Sequence, residues 1–267
     1  MKPNCWHLVA SAGLAVLLGD SPVLWAQATL GTAQSFAVLG GSTVTNTGAS
    51  VLTGDLGVSP GAAIVGFPPG IATGTTHAAD AVALQAQNDT TTQYNALAAA
   101  ACTADLTGQD LGGMTLTPGV YCFSSSAQLT GALTLNAQGN ANANFIFKTG
   151  STLTTAAASS VVMINGGNPC GVAWQIGSSA TLGTTTSFIG NLIALQSITL
   201  TTGANIVGRA LARNGAVTLD TNNVSFAACG AAPPPVPRLS TWAAIVLAGL
   251  LLIAGVAAIR RRQHPIA

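Results

Sequence analysis

Along this chain of 267 residues, six short segments from Thr115 onward place a leucine directly after a threonine and before another small or polar residue. Side chains of a β-strand alternate between its two faces, so each segment predicts a short strand with its leucine inward and its threonine outward. Successive leucines are 19, 18, 29, 18 and 19 residues apart, and they are Leu116, Leu135, Leu153, Leu182, Leu200 and Leu219. This spacing predicts a β-solenoid in which each repeat forms one coil and the leucines stack inside.

In such a solenoid the residues that precede the leucines would stack into one outward-facing rank. All six are threonines, namely Thr115, Thr134, Thr152, Thr181, Thr199 and Thr218. The segment Thr43–Thr45 offers one further coil of the same kind near the N-terminus. The single step of 29 residues fits a loop insertion around residues 165–169.

Each coil also carries a second apolar segment, such as Phe145–Phe147, whose consecutive apolar residues predict a strand covered on both faces. The solenoid core covers one face, and residues 77–101 are the candidate cover for the other. This stretch is rich in alanine, lacks glycine and proline, and follows Thr75 and Thr76, either of which could cap a helix. It predicts one long helix along the solenoid, the alternative being a surface helix of an α+β domain. The expected contact stripe is Leu84, Thr91, Tyr94, Ala98 and Ala101.

The N-terminal residues 1–28 are typical of a secretory signal peptide. Lys2 supplies the positive charge, Leu8–Leu18 the apolar core, and Ala26–Ala28 an A-x-A cleavage site. The alternative is a short membrane anchor, but the apolar run is too short to span a bilayer. The sequence therefore predicts an exported domain that covers residues 29–230.

Two further segments are predicted after this domain. Residues 231–240 form a stiff, proline-rich linker, and residues 241–267 a membrane or sorting tail. Trp242–Ile259 is apolar, uncharged and about long enough to span a bilayer, and Arg260–Arg262 would stay on the cytoplasmic side. The stretch VPRLSTWAAIVLAGLLLIAGVAAIRRR resembles the PEP-CTERM and IPTL-CTERM sorting tails of Gram-negative bacteria. That resemblance implies a sorting enzyme that processes the tail, and a plain membrane anchor is the alternative.

Four cysteines lie in the exported part of the chain. An even number in an exported domain suggests two disulfides, and no C-x-x-C spacing or histidine pair supports a metal site instead. Three pairings are possible, and the neighbours along the chain are favoured: Cys102–Cys122 and Cys170–Cys229.

The exported domain carries very little charge. Between residues 29 and 229, the only lysine or arginine residues are Lys148, Arg209 and Arg213, against six aspartates and no glutamate, which leaves a net charge of −3. This composition offers no basic patch for nucleic acid. The nearest approach to a catalytic pair is His77 with Asp80, for which a structural role at a helix start is the simpler interpretation. The sequence predicts neither catalysis nor a cofactor.

A stacked threonine surface could bind an ordered crystal of water. Coils stack about 4.8 Å apart and outward residues along a strand lie about 6.7 Å apart, close to oxygen repeats on ice. The β-branch of threonine restricts χ1, so the grid is rigid before binding. Threonine is also a common residue on solvated strands, so a structural adhesin or glycan-binding solenoid is the alternative function.

Several longer stretches carry a family resemblance, among them FAVLGGSTVTNTGASVLTGDLGVSPG, GFPPG, NANFIFKTGSTLTTAAASSVVMINGG and WQIGSSATLGTTTSFIGNLIAL. From about Leu30 to Val224 the chain resembles the microbial ice-binding proteins that have a discontinuous β-solenoid and a lateral helix. The resemblance implies a mostly β fold: a right-handed, three-faced solenoid with one long helix packed alongside. It also implies that the binding partner of the protein is the surface of an ice crystal.

Some members of that family carry a T-(A/G)-x-(T/N) motif on the ice-binding face. Thr202–Asn205 fits it fully, Thr47–Ser50 except at its last position, and Thr155–Ala158 at its first two positions. These segments follow the Thr-Leu-Thr triplets, so the resemblance places the ice-binding face one strand further along than the threonine rank. The predicted ice-binding residues are Thr47, Ala49, Ser50, Thr155, Ala157, Thr184, Thr186, Thr202, Ala204, Asn205, Thr221 and Asn223, and the rank that begins at Thr115 is the alternative.

Overall fold

The computed structural model describes residues 30–226. Within this range the chain forms one α-helix, α1 (Ala81–Ala99), and two 3₁₀ turns at Gly31–Ser35 and Pro169–Gly171. The strands are β1 (Phe36–Gly40), β2 (Thr43–Thr47), β3 (Val51–Thr53), β4 (Asp55–Val58), β5 (Ala63–Val65), β6 (Ile71–Ala72), β7 (Thr76–Ala78), β8 (Ala104–Asp105), β9 (Thr115–Leu116), β10 (Gly119–Phe123), β11 (Ala127–Leu129), β12 (Ala132–Asn136), β13 (Phe145–Thr149), β14 (Leu153–Thr155), β15 (Ser160–Ile164), β16 (Val172–Ile176), β17 (Ala180–Leu182), β18 (Ser187–Ala194), β19 (Ile198–Leu200), β20 (Asn205–Ala212), β21 (Val217–Asp220) and β22 (Asn223–Ser225).

These strands stack in parallel into a solenoid with three faces. The threonine sheet has the spatial order β11-β14-β17-β19-β21-β2-β5. The valine sheet has the order β9-β12-β15-β18-β20-β22-β3-β6. The helix sheet has the order β8-β10-β13-β16-β18-β20-β1-β4-β7. The mostly β solenoid fold with one lateral helix is therefore confirmed.

Two long strands, β18 and β20, belong to both the valine sheet and the helix sheet. Their first halves pair within the valine sheet and their second halves within the helix sheet. Each strand turns the corner at a glycine with positive φ, Gly190 at +117° and Gly208 at +148°. A Cβ atom on Gly208 would lie 2.0 Å from the carbonyl oxygen of Gly190, so the stacked corner admits only glycine there.

The order of the coils is discontinuous along the chain. Strands β1, β2 and β3 pair with β20, β21 and β22 of the last coil, and β4–β7 extend the solenoid beyond them. Helix α1 then runs back along the helix sheet to the opposite end, where β8 and β9 begin. The first and last described parts of the chain consequently meet at a seam between β1 and β20.

The interior of the coils is apolar, and it is aromatic near the middle of the solenoid. The rings of Phe147 and Trp174 stack with centroids 3.9 Å apart, and Tyr121 and Phe188 continue the ladder on either side. The indole Nε1 of Trp174 donates to the carbonyl oxygen of Ile189 at 2.9 Å, which satisfies the only polar atom of this buried side chain. This filled core gives the outer faces a rigid backbone.

Helix α1 packs its small residues against the helix sheet. The buried positions are Ala83, Ala86, Gln87, Thr90, Gln93, Tyr94 and Leu97. The predicted stripe was right for Tyr94, which is buried, and Thr91 is half-buried, but it was wrong for Leu84, which is 53% exposed, and for Ala98 and Ala101, which are also exposed. The predicted start was also early: Thr76–Ala78 forms β7, and Asp80 rather than Thr75 or Thr76 caps the helix by accepting from the Ala83 N–H.

One disulfide joins Cys102, just after the helix, to Cys122 in β10, the pairing favoured from the sequence. Cys170 is also disulfide-bonded, but its predicted partner Cys229 lies outside the described residues. The predicted signal, linker and tail segments lie outside them as well. Within residues 30–226 no helix is both long and apolar enough to cross a bilayer.

Candidate functional site

A row of threonines runs across the outer side of the threonine sheet. The hydrogen-bonded register aligns five of them on adjacent strands, in the order Thr154, Thr181, Thr199, Thr218 and Thr45. The row continues to exposed residues, Gln128 and then Asp110 on one side and Val65 on the other. The five side chains are exposed or partly exposed. We call this row the threonine rank.

A second row of small polar residues lies beside the threonine rank, two positions earlier along each strand. It comprises Ser126, Thr152, Ser179, Ser197, Ala216 and Thr43. The Ser126 and Thr152 hydroxyls are 2.9 Å apart, and those of Thr45 and Thr218 are 3.4 Å apart. Beneath the rank, Leu153, Leu182, Leu200 and Leu219 are fully buried, so each strand points its hydroxyls outward and its leucine inward.

The structure brings together only half of the rank expected from the sequence. Thr181, Thr199 and Thr218 do align, but Thr115 and Thr134 lie on the valine sheet, in β9 and β12. Thr152 lies in the neighbouring row, because Thr154 is the residue that pairs with Thr181. In the structure, Thr154 and Thr45 complete the threonine rank together with Thr181, Thr199 and Thr218.

The predicted T-(A/G)-x-(T/N) segments form the corner turns between the threonine and valine sheets, not a strand. Four predicted ice-binding residues in these turns are buried, which corrects the expectation that they face a ligand: Ser50, Thr155, Thr186 and Ala204. The hydroxyls of Thr155 and Thr186 are 2.8 Å apart, and the Ser50 hydroxyl accepts from the Asn222 N–H. These side chains hold successive turns together.

The other predicted residues of this set lie at the corner or beyond it. Thr47, Ala49, Ala157, Thr184, Thr202 and Thr221 are exposed at the corner. Asn205 and Asn223 begin β20 and β22 and are exposed at the edge of the valine sheet. Each turn contains one residue in the left-handed region, namely Gly48, Ala158, Thr185, Gly203 and Thr221. The glycine of the T-G-x-x segments therefore serves the turn conformation.

Sequence reasoning missed Asn222, which stabilises this corner. Its side-chain amide donates to the carbonyl oxygens of Thr201 and Ala204, both at 2.8 Å, and its carbonyl oxygen accepts from the Asp220 N–H. No repeat of sequence marks this role, since other coils place Ser50 or Thr186 at the equivalent buried position.

Charged groups of the described residues are mostly away from the threonine rank. Lys148, Arg209 and Arg213 lie on the helix sheet or follow it. Burial lowers the pKa of Arg209 to about 10, and its guanidinium donates to the Gln34 carbonyl and the Asn191 side chain. Asp220, at the corner, accepts from the Thr202 hydroxyl at 2.5 Å. The rank itself carries no charge.

The candidate catalytic pair caps the helix. Asp80 accepts a hydrogen bond from the Ala83 N–H and is 2.7 Å from His77 Nδ1, and in that order these two contacts lower the pKa of Asp80. The His77 ring packs against Phe36, with centroids 5.4 Å apart. Within residues 30–226, no cluster of His, Cys, Asp or Glu side chains could hold a metal ion.

Comparison with known proteins identifies the relatives of this solenoid. An ice-binding protein of Nostoc sp. (strain HG1) is 61% identical over 226 residues, which are 83% of this chain and 83% of that protein. The crystal structure of an ice-binding protein from an Antarctic biological consortium has a TM-score of 0.73 and 50% identity, over 74% of this chain and 90% of that one. An ice-binding protein of the Antarctic ascomycete Antarctomyces psychrotrophicus has a TM-score of 0.72 and 43% identity, over 74% and 97% of the two chains. Residues 38–225, which include strands of all three sheets, match the ice-binding-like family, and the chain belongs to that family.

Proposed function

We propose that this protein binds ice crystals through the outer side of its threonine sheet. The observation that carries the proposal is the threonine rank: five threonines in register on five adjacent parallel strands, with no charge among them. The relatives named as ice-binding proteins support the choice of ice as the ligand. The corner turns predicted from the sequence form the margin of this face.

The physical basis is a surface that is rigid before it meets the ligand. Each threonine is held by a paired strand above a buried leucine core, and its β-branch restricts rotation about χ1. The hydroxyls can join an ordered water network, and the methyl groups disfavour disordered, liquid-like hydration of the surface. Each hydrogen bond contributes only about 1 kcal/mol net, but many form together when a whole face adsorbs. Adsorbed molecules inhibit ice growth and recrystallisation.

The test is whether the purified protein enters a slowly growing ice hemisphere. We expect the wild-type chain to concentrate in the ice, and Thr199→Tyr, at the centre of the rank, to enter the ice much less than the wild type because the ring lifts the threonine sheet off the lattice. Thr92→Tyr is the matched control, since Thr92 is exposed on helix α1, and it should enter ice like the wild type. Exclusion of the wild-type chain would defeat the proposal.

A second comparison separates the threonine rank from the corner. Thr202 is exposed at the corner and bonded to Asp220, so a tyrosine there projects from the margin of the face. We expect Thr202→Tyr to weaken entry into ice less than Thr199→Tyr does. The opposite ranking would assign the main contact to the corner turns.

The proposed site of action is outside the cytoplasm, with no catalytic step and no cofactor. Support comes from the signal-like residues 1–28, the sorting-like tail 241–267, and the disulfide between Cys102 and Cys122. The tail would hold the chain at the membrane until a sorting enzyme processes it. Mass spectrometry of protein recovered from the producing cells tests this. The expected mature chain begins near Thr29, whereas an intact N-terminus would contradict export through this signal.

A further inference from the structure

The valine sheet presents most of the exposed aliphatic surface in the described part of the chain. Eight large hydrophobic side chains are exposed within residues 30–226. Five of them lie on the outer side of the valine sheet: Val51 (40%), Ile71 (59%), Val162 (42%), Ile164 (39%) and Val207 (36%). A cluster of exposed aliphatic residues on one face marks an interaction surface.

Two of them, Val162 and Val207, belong to one ordered row across the sheet, and Val51, Ile71 and Ile164 lie in the adjoining rows. The register aligns Thr115, Thr134 and Val162 on one side, and Ile189, Val207, Ser225 and Thr53 on the other. Ser160 pairs with Ser187, which brings Val162 of β15 level with Ile189 of β18. Every member except Ser225 is β-branched, so the methyl groups of this row are nearly fixed in direction. We call it the valine rank.

The valine sheet also lacks charge. Among the described residues its strand segments, with only the first halves of β18 and β20 counted, contain no Asp, Lys, Arg or His, and Arg209 lies in the half of β20 that belongs to the helix sheet. A row two positions earlier carries small polar or aliphatic residues, Ser160, Ser187, Asn205, Asn223, Val51 and Ile71. The surface therefore shares with the threonine rank the absence of charged groups and the strand spacing of about 4.8 Å.

The threonine sheet and the valine sheet are continuous around one corner. The turns that follow Thr184, Thr202 and Thr221 lead directly from the threonine sheet into β18, β20 and β22. Asn205 accepts from the Asn223 N–H at 2.7 Å, which orders the first positions of the valine sheet beside that corner. The proposed ice-binding surface thus adjoins the valine rank, and the charged residues at this corner are Asp220, which ends β21, and Asp110, which accepts from the Thr130 N–H in the turn between β11 and β12.

We propose that the outer side of the valine sheet is a second ice-binding surface, which adsorbs to a different crystal plane from the threonine sheet. The inference rests on the proposed function, since its ligand is ice. Two faces of a solenoid that meet at a corner cannot lie on one flat plane, so each selects its own plane. Fixed methyl groups at strand spacing match a lattice surface, and no charged side chain there must lose its own hydration shell.

The test uses the fluorescently labelled full chain on a single-crystal ice hemisphere, where the lit areas report the planes bound. The wild type should light two sets of planes. Val207→Tyr should lose one set and keep the other, and Thr199→Tyr should lose the complementary set. Thr92→Tyr, on the exposed side of α1, should leave both sets. Val162→Tyr, on a different strand, provides a second variant of the same face, and thermal unfolding shows which variants are folded.

Each outcome separates this inference from the proposed function. If Thr199→Tyr loses all adsorption while the wild type binds ice, all binding depends on the threonine sheet and the inference about the valine sheet is wrong. If folded Val207→Tyr and Val162→Tyr light the same planes as the wild type, the inference also fails. A wild-type dimer in sedimentation that Val207→Tyr converts to monomer would assign the face to self-association instead. A wild type that lights no plane would defeat the proposed function itself.

Discussion

The seam between the first and last parts of the chain depends on one buried glutamine. Gln87 of α1 donates its side-chain amide to the carbonyl oxygens of Gly40 in β1 and Ala212 in β20, both at 3.0 Å. These are the last residues of the two strands that meet at the seam. We predict that Gln87→Ala weakens the seam and lowers the free energy of unfolding.

The size of the effect follows from these two bonds. Each hydrogen bond contributes about 1 kcal/mol net, and the Gly40 carbonyl keeps the Ser59 N–H as a second partner. The better helix propensity of alanine returns only a few tenths of a kcal/mol. The expected loss is about 2 kcal/mol, which lowers the Tm of a domain of this size by roughly 4–8 °C.

Thermal unfolding followed by circular dichroism measures this loss. Gln85→Ala is the matched control, because Gln85 lies on the same helix but is exposed and donates its side-chain amide to Asp89, away from the seam. Its Tm should change little. Equal changes in the two variants would refute the role of Gln87 at the seam. Ice binding of folded Gln87→Ala near 0 °C should match the wild type, because the residue is remote from the threonine rank.

Two further predictions concern stability. Replacing Cys102 and Cys122 by serine should lower the free energy of unfolding by about 3 kcal/mol, since the bond closes a loop of 20 residues; a Tm equal to that of the wild type would contradict this. Acid should also destabilise the fold. The pKa of Asp80 is lowered by the Ala83 N–H and by His77. Burial acts to raise the pKa of Asp89, but hydrogen bonds from Thr32 and Gln85 outweigh it. Both carboxylates therefore stabilise the fold above the unfolded pKa of about 3.9 and lose this effect as pH falls below it. The Tm should be steady near pH 6 and fall below about pH 4; a Tm that rises on acidification would contradict the assignment.

Alternation and composition were sufficient to predict the solenoid and its helix. They could not predict the face on which each threonine lies. Each coil contributes one strand to each of three faces. Two leucines about one coil length apart can therefore lie on the same face of successive coils or on two neighbouring faces. Leu116 and Leu135 belong to the valine sheet, whereas Leu153 and Leu182 belong to the threonine sheet. Only the pairing of the strands separates the two cases.

The discontinuity has no local signal either. β1 pairs with β20, so Val38 lies beside Ala210 although most of the domain's sequence separates the two residues. The threonine at 45 joins the rank only because of this pairing, beside Thr218. The buried turn residues were also hidden, because Thr155 and Thr186 have the same composition as exposed threonines. Their burial is decided by the left-handed turns that fold them beneath the corner.

The central claim is that the threonine rank is the surface that meets ice. The most direct measurement is thermal hysteresis across a series of tyrosine substitutions along the rank, at Thr154, Thr181, Thr199, Thr218 and Thr45. We expect the largest loss of thermal hysteresis at the central Thr199, smaller losses toward Thr154 and Thr45, and no loss for Thr92→Tyr on the helix. Folded variants that retain full hysteresis at all five positions would contradict it.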